Sequence, residues 1–222
     1  MEEAFLTTVS CRVARGEWRV WKCVDDSNKA IDVQVIDPDG NLESGARYRF
    51  IGTYHDNPQY GRQFKSNSFS ISVPSGEQAV KKYLCKCSGI GPKTASVIWN
   101  LYQEDSVRIL RENPELVYED MLSLKEKSVD KNLKHVVLNI EKAKEASGLL
   151  KSQQALESCT IELESLLSGR RFPKATAMRA IRRLGSSAAK LIRLNPYLLM
   201  TLPGCGFKLC DQMYLSLGYN PA

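Results

Sequence analysis

Apolar and polar residues alternate along the first third of the chain. The alternation is clearest in Trp-Arg-Val-Trp-Lys-Cys-Val at 18–24 and in Phe-Ser-Ile-Ser-Val at 69–73. A period of two places successive side chains on opposite faces, so these segments predict half-buried antiparallel strands. The predicted strands are Phe5–Val13, Trp18–Val24, Ile31–Ile36, Ala46–Tyr54 and Phe64–Val73.

Turn-forming residues separate these strands. The segments Asp-Pro-Asp-Gly-Asn at 37–41 and Asn-Pro-Gln-Tyr-Gly at 57–61 both combine proline, glycine and short polar residues, as turns require. Five short strands in roughly 70 residues favour a small closed barrel over a sandwich, which usually needs about seven. We therefore expect an OB-like β-barrel over residues 1–74.

The apolar spacing becomes helical from Gln78 onward, after the Pro-Ser-Gly-Glu segment at 74–77. Asn-Pro pairs at 113–114 and 195–196 each end one helix and begin the next. The predicted fold class is thus a two-domain chain with a small all-β barrel followed by an all-α region. The predicted helices are Val80–Lys86, Lys93–Leu101, Ser106–Glu112, Val117–Ser123, Asp130–Ala146, Gln153–Ser168, Lys174–Leu184, Ser187–Arg193, Tyr197–Thr201 and Phe207–Leu217.

A short motif occurs twice between predicted helices. Ser-Gly-Ile-Gly-Pro-Lys-Thr-Ala at 88–95 and Leu-Pro-Gly-Cys-Gly-Phe-Lys-Leu-Cys at 202–210 each contain two glycines around one apolar residue. The glycines allow a tight turn and close approach of the backbone, while Ile90 and Cys205 are expected to enter the core. The helix that follows presents unpaired N–H groups and its positive dipole end, which together bind phosphate.

Two further helix breaks share part of this pattern. The break at 167–177 has one glycine, Gly169, and the basic residues Arg170, Arg171 and Lys174. The break at 122–129 has no glycine, so we expect a structural role for it. The candidate phosphate-binding residues are Gly89, Ile90, Gly91, Lys93, Thr94, Gly169, Arg170, Arg171, Lys174, Gly204, Gly206 and Lys208.

The composition is that of a folded protein, with 43% apolar, 25% charged and 8% aromatic residues. The charge is divided unevenly: residues 1–74 carry 9 Lys and Arg against 10 Asp and Glu, and residues 75–222 carry 22 against 15. Nine basic residues and no acidic ones lie between Ser165 and Cys210. A block of this kind attracts polyanions, although such runs are often only solvated helix faces. We expect Arg182, Arg183 and Arg193 to belong to that second class.

Several other functions are disfavoured by the sequence. There is no run of about 20 apolar residues and no signal-peptide pattern, so a cytoplasmic protein is expected. The seven cysteines are expected to be reduced, and their spacing with His55 and His135 does not suggest a metal site. The P-loop pattern is absent, so we expect no ATP hydrolysis by this chain and no cofactor in it.

Aromatic residues on the predicted barrel could stack on nucleobases, and Trp18, Trp21 and Tyr60 are the candidates. Trp18 and Trp21 are an odd number of residues apart and so face opposite sides of a strand, which leaves at most one of them in the core. The barrel segment is slightly acidic, so it could instead bind protein.

The glycine turns resemble the helix-hairpin-helix motif, which binds one strand of DNA through backbone amides without reading bases. In that motif two hairpins pack as one pseudo-symmetric domain. The resemblance implies two such domains, one over 75–150 that pairs the hairpins of Gly89 and Lys125, and one over 151–222 that pairs those of Gly169 and Gly204.

The order of the parts resembles the N-terminal region of RecD-like helicases that act without RecB and RecC. The resemblance is carried by residues 54–65, the hairpin at 89–92, the Glu-Asn-Pro break at 112–114 and the segments 195–197 and 203–208. In that family this region precedes motor domains that use ATP and Mg²⁺ to move 5′ to 3′ along single-stranded DNA. The chain would then be a fragment or a shortened homologue that contacts DNA and the motor domains. DNA repair or recombination is the implied process.

Two classes of function follow from these observations. The first is sequence-independent DNA binding as part of a helicase, to a single strand or to a junction of single and double strands. The second is a protein-docking module whose hairpins and basic block face a partner protein or the motor domains. An enzyme active on its own is a distant third, because no nucleophile–base pair or metal cluster is suggested.

Overall fold

The computed structural model describes residues 2–127 and 138–219. Strands occupy the N-terminal third of the chain and helices follow, which confirms the predicted fold class. The strands are β1 Glu2–Arg15, β2 Trp18–Val24, β3 Ala30–Ile36, β4 Arg47–Asn57 and β5 Gly61–Ile71. The helices are α1 Glu77–Leu84, α2 Pro92–Tyr102, α3 Ser106–Glu112, α4 Pro114–Lys127, α5 Ile140–Leu167, α6 Thr176–Leu184, α7 Ala188–Leu194 and α8 Phe207–Ser216.

The five strands close into a barrel in the order β1-β2-β3-β5-β4, with β4 returning to β1. All neighbours are antiparallel except β3 and β5, which run parallel over Asp32–Gln34 and Gln63–Lys65. The small closed OB-like barrel expected from the strand pattern is therefore confirmed. Every strand has a neighbour on both sides, but β1 pairs with β4 only up to Thr7 and with β2 alone from there to Arg15.

The barrel core follows directly from the period of two along each strand. Trp21 and Cys23 point inward from β2, and Val33 and Val35 do so from β3. The ring of Phe50 lies 6.2 Å from that of Phe69, centroid to centroid, inside the barrel. The alternate positions on β2 and β3 face away from this core and are exposed or half-buried, except Val20, which is also buried.

The chain divides into two compact units. One combines Met1–Ser72 with Ala155–Ala222, and the other is Val73–Gln154. The barrel therefore belongs to the same unit as the C-terminal helices, and the second boundary falls within α5. The division into three domains at 74 and 150 stays a prediction.

The two helices predicted over 130–146 and 153–168 are wrong as separate elements. A single helix, α5, runs from Ile140 to Leu167, and residues 130–137 lie outside the described residues. Gly148 is internal to this helix. One internal glycine costs only about 1 kcal/mol, and the surrounding good helix formers and buried residues offset that cost.

The proposed hairpin at 122–129 is also different in the structure. Residues 122–127 continue α4, and residues 128–129 lie outside the described part of the chain. The next helix is capped by Asn139, whose Oδ1 accepts a hydrogen bond 2.7 Å long from the N–H of Lys142. The part of this segment that the structure describes is therefore helix and not a hairpin turn.

The helical region contains a structural repeat with an offset of 82 residues. The 3-10 turn Gln103–Asp105 leads into α3, and the 3-10 turn Gly185–Ser187 leads into α7 in the same way. Each of these helices then ends at an Asn-Pro pair, at 113–114 and at 195–196. The first copy follows the hairpin of Gly89 and the second follows the break at 167–177, so the same order of elements comes after both turns.

Glu164 is a buried carboxylate on the face of α5 that lies beside Ser68 of the barrel. Desolvation by burial raises its pKa, and the nearby Ser68 hydroxyl only partly opposes this. A folded-state pKa above the unfolded value means that folding favours the protonated form. The stabilisation is therefore complete below the unfolded pKa and is lost as the pH rises through the folded pKa.

Replacing Glu164 with Gln should raise the free energy of unfolding at neutral pH by about 1 kcal/mol, with little change at about pH 4. The glutamine keeps the shape of the protonated acid and cannot ionise. Urea unfolding at the two pH values measures the difference, and Glu119→Gln on the exposed side of α4 is the control. An equal effect of Glu164→Gln at both pH values would contradict the explanation.

Candidate nucleic-acid interface

The first hairpin joins α1 to α2. Gly89 has φ of +84°, and a Cβ atom built on it would lie 2.6 Å from Cδ of Lys142 at the start of α5. Ile90 is 4% exposed and enters the core, as predicted. Gly91 is the N-cap of α2 and is followed by Pro92 and the exposed Lys93.

The last hairpin repeats this geometry before α8. Gly204 has φ of +76°, and a Cβ atom there would lie 2.7 Å from Cγ of Pro173. Cys205 is 2% exposed and occupies the position that Ile90 has in the first hairpin. Gly206 caps α8, and Lys208 is exposed two residues later. The two motifs singled out in the sequence therefore form the same local structure.

The two glycines of each hairpin have different roles. Gly89 and Gly204 are required by left-handed backbone and by close neighbours. Gly91 and Gly206 have φ of −87° and −73°, which any residue adopts, and no other described atom lies within 4 Å of a Cβ built on them. The expectation that all four glycines are needed for the turn is therefore wrong for Gly91 and Gly206.

The N-termini of α2 and α8 have no side-chain cap in the described structure. The first N–H groups of a helix lack carbonyl partners within it, and the dipole places partial positive charge at the same point. At α2 these groups include the amides of Lys93 and Thr94. The Thr94 side chain is buried, so its backbone N–H is the group that could contact a ligand.

The third hairpin, between α5 and α6, has a different backbone. By the offset of 82 residues, Arg171 corresponds to Gly89 and Pro173 to Gly91. Arg171 adopts φ of +59°, a left-handed conformation that costs an L-residue about 1–2 kcal/mol. Gly169 precedes it at φ of +74°, and α6 begins only after Ala175. This hairpin keeps the left-handed position but has no glycine at the start of the helix.

A cavity of about 310 Å³ lies beside the third hairpin. Arg171 and Lys174 are on its wall, and Glu164 also lines it. A carboxylate in the wall opposes binding of a phosphate inside the cavity. The two basic side chains are both exposed, so they remain accessible to an anion at the surface.

Several basic residues of the block at 165–210 form ion pairs or hydrogen bonds within the protein. Arg179 pairs with Glu17 at 2.7 Å, and Arg182 pairs with Asp39 at 3.0 Å, so α6 is tied to the barrel by two ion pairs. Arg193 pairs with Glu162 at 2.8 Å. These three arginines therefore have ion-pair partners within the protein. Arg170 donates hydrogen bonds to Ser216 and to the carbonyl of Leu166. Arg183 donates one to the carbonyl of Thr201.

Five exposed basic residues of the helical region bear on the comparison of the hairpins with the rest of the surface, and each lacks a carboxylate partner among residues 2–127 and 138–219. Four of them are predicted site residues at or beside the hairpins, and the fifth lies on α7 away from any hairpin. They are Lys93, Arg171, Lys174, Lys208 and Lys190. Four positive charges without a carboxylate partner therefore lie at the hairpins, and others lie elsewhere, as at Arg15, Lys29 and Lys82, while most arginines of the basic block have partners within the protein.

The three aromatic candidates on the barrel differ in their exposure to solvent. Trp21 is 5% exposed and packs in the barrel core, so it cannot stack on a nucleobase. Trp18 is 37% exposed and Tyr60 is 64% exposed. Both line a groove on the outer face of the barrel. Alternation along β2 had allowed only one of the two tryptophans in the core, and the structure selects Trp21.

The described residues were compared with the patterns of metal sites and membrane-spanning helices. No group of three or more His, Cys, Asp or Glu side chains in them is arranged to hold a metal ion. Helices long and apolar enough to cross a bilayer were not found among them either. The cysteines are free thiols, and burial raises the pKa of Cys23 to about 12 and that of Cys210 to about 11.

The different roles of the two glycines predict opposite effects on stability. Gly204→Ala should lower the free energy of unfolding by about 2 kcal/mol, because it combines a left-handed alanine with a clash against Pro173. Gly206→Ser should leave it unchanged or raise it by a few tenths of a kcal/mol, since serine is a good N-cap. Urea unfolding of both variants tests this, and a comparable loss in Gly206→Ser would contradict it.

Substitutions of the two neighbouring arginines in the third hairpin should have opposite effects on the free energy of unfolding. Arg170→Ala should lower the free energy of unfolding by about 1 kcal/mol, because it removes hydrogen bonds to Ser216 and Leu166. Arg171→Gly should raise it by about 1 kcal/mol, since glycine accepts the left-handed backbone. Thermal and urea unfolding measure both. A destabilised Arg171→Gly variant would show that the arginine side chain has a packing role.

Comparison with known families supports this geometry. A family model described as the ATP-dependent RecD2 DNA helicase HHH domain matches residues 152–222, the segment that holds the third and last hairpins. Neither the search of curated proteins nor that of solved structures found a match. Residues 152–222 are therefore similar to the helix-hairpin-helix domain of RecD2 helicases, and this match together with the five-stranded barrel fits the N-terminal region of RecD-like helicases.

Proposed function

We propose that this chain binds DNA through its phosphate backbone, without base specificity, as the N-terminal region of an ATP-dependent 5′-to-3′ DNA helicase. The observation that carries the proposal is the pair of N-cap glycines, Gly91 and Gly206, which the described fold does not require. Each is followed two residues later by an exposed lysine, Lys93 or Lys208. ATP and Mg²⁺ would belong to the motor domains of a full-length helicase, which would act in the cytoplasm in DNA repair or recombination.

A phosphate at either helix N-terminus accounts for the choice of glycine. Serine, threonine or aspartate at the N-cap would satisfy the helix N–H groups with its own side chain. Glycine leaves those groups free and removes the Cβ atom from the path of an approaching backbone. The lysine then adds a full positive charge near a phosphate held by the amides.

The third hairpin would contribute charge more than backbone contacts. Arg171 and Lys174 are exposed and lack carboxylate partners in the described structure. The third and last hairpins are neighbours, because Pro173 of one lies against Gly204 of the other. We infer that Arg171 and Lys174 contact phosphates near the one held by the last hairpin.

The proposal predicts a salt-dependent affinity that is reduced by loss of the hairpin lysines. In fluorescence anisotropy with labelled single-stranded, duplex and forked DNA, Lys93→Gln and Lys208→Gln should each weaken binding and lower the salt slope by nearly one unit. Lys190→Gln is the matched control, because it removes the same charge from an exposed lysine away from the hairpins. Equal losses from Lys190→Gln would point to nonspecific attraction by net charge.

Substitution of the N-cap glycines separates a DNA role from a structural one. Gly91→Ser and Gly206→Ser should preserve or raise stability yet weaken DNA binding severalfold, because the serine occupies the amides that a phosphate would use. Gly148→Ala, in the interior of α5, is a control with open space around the new methyl group. Unchanged DNA affinity in both serine variants would overturn the proposed contact. Binding that does not fall with added salt would favour the protein-docking function instead.

A further inference from the structure

A groove on the outer face of the barrel has features that the hairpins do not account for. Its volume is about 350 Å³, and it is bounded by β1, β2, β3, β5 and the β4–β5 turn. Two exposed aromatic rings, Trp18 and Tyr60, line it. These rings come from separate strands and turns, since Trp18 starts β2 and Tyr60 lies in the turn before β5.

The turn holds the Tyr60 backbone in place. Oδ1 of Asn57 accepts hydrogen bonds from the N–H of Gln59 at 2.9 Å and of Tyr60 at 3.2 Å. Trp18 is fixed by strand pairing with Arg15 on one side and Ile36 on the other. Both rings are thus mounted on ordered backbone while much of their apolar area faces solvent. Aromatic side chains that line a groove together with a few polar groups are typical of ligand-binding sites.

The floor of the groove is polar and neutral. Gln34 of β3 donates a hydrogen bond 2.6 Å long to Oε1 of Gln63 of β5, and Gln63 is 5% exposed. Each side-chain amide has two donor hydrogens and one acceptor oxygen, so this single bond leaves donors and an acceptor for another partner. Side-chain amides of this kind pair with the edges of nucleobases.

The rim of the groove is weakly basic. Arg12 pairs with Asp32 at 3.0 Å, whereas Arg15 has no carboxylate partner in the described part of the chain. Glu17, close to Arg15 in sequence, is held by Arg179 at 2.7 Å. The ion pair with α6 therefore neutralises an acid next to the groove, which favours an anionic ligand although the barrel as a whole is slightly acidic.

We propose that this groove binds an unpaired nucleotide of single-stranded DNA, with its base stacked on Trp18 and Tyr60 and its phosphate near Arg15. The choice of DNA rests on the proposed function. A stacking site needs an open base face, which a duplex does not offer, and aromatic rings serve all four bases alike. An extended peptide beside residues 10–15 of β1, which pair with β2 alone, is the competing occupant, and the leucine variants distinguish it from DNA.

The test uses the full 222-residue chain and compares a labelled oligothymidine with a duplex of the same length. Trp18→Leu and Tyr60→Leu should each weaken single-strand binding about tenfold and leave duplex binding nearly unchanged. Trp18→Phe and Tyr60→Phe keep a ring and should retain most of the affinity. Phe5→Leu is the matched control, because Phe5 is an exposed aromatic residue of β1 outside the groove.

The outcomes separate the groove from the hairpins. Normal oligothymidine binding by both leucine variants would overturn the groove proposal, whatever the lysine variants do, and would leave the groove to a protein ligand. Loss of single-strand binding only in the leucine variants, with Lys93→Gln and Lys208→Gln unaffected, would support the groove and reject the hairpin contacts. Equal loss of single-strand and duplex binding in the leucine variants would also overturn it, because stacking requires an unpaired base.

Discussion

The geometry of the candidate interface depends on two close contacts made by left-handed glycines. Gly89 lies against the side chain of Lys142, and Gly204 lies against Pro173, so tightly that neither position has room for a Cβ atom. Each contact fixes a hairpin against the neighbouring segment, while the residue that follows, Ile90 or Cys205, fills the core. The N-cap glycine and the exposed lysine after it are positioned by this anchoring. A phosphate site made of backbone amides has no side chains to adjust, so its precision must come from such packing.

Charge in the helical region is distributed more selectively than the net value suggests. Most arginines of the basic block have partners inside the protein, and those of α6 tie it to acids on the barrel. The planar guanidinium suits these fixed pairs, whereas a lysine ammonium is a mobile point charge on a flexible chain. Lys93, Arg171, Lys174 and Lys208 at the hairpins have no carboxylate partner in the described structure. Net charge therefore overstates the positive surface of α6, whereas the basic residues at the hairpins keep their full charge.

Local patterns predicted the elements well and their exact limits less well. Strand positions followed from period-two alternation, and the hairpins followed from paired glycines, because both depend on near neighbours in the chain. The single helix α5 was missed, since Gly148 suggests a break when only intrinsic propensity is considered. Burial of Leu150, Leu163 and other α5 residues overrides that preference in the folded protein. The left-handed Arg171 was likewise invisible, because its conformation is imposed by the hairpin and not by its own side chain.

The sequence by itself determined the order of barrel and helices, the repeated hairpins and their lysines, and the resemblance to RecD-like helicases. Only the tertiary structure decided which tryptophan faces outward, which arginines are occupied, and which glycines the fold needs. These questions turn on residues far apart in the chain, as with Glu17 and Arg179, which are 162 positions apart. Periodicity reports how a residue relates to its neighbours along the backbone. Burial, ion pairing and the space around a missing Cβ atom are set by atoms that reach the same place only after folding.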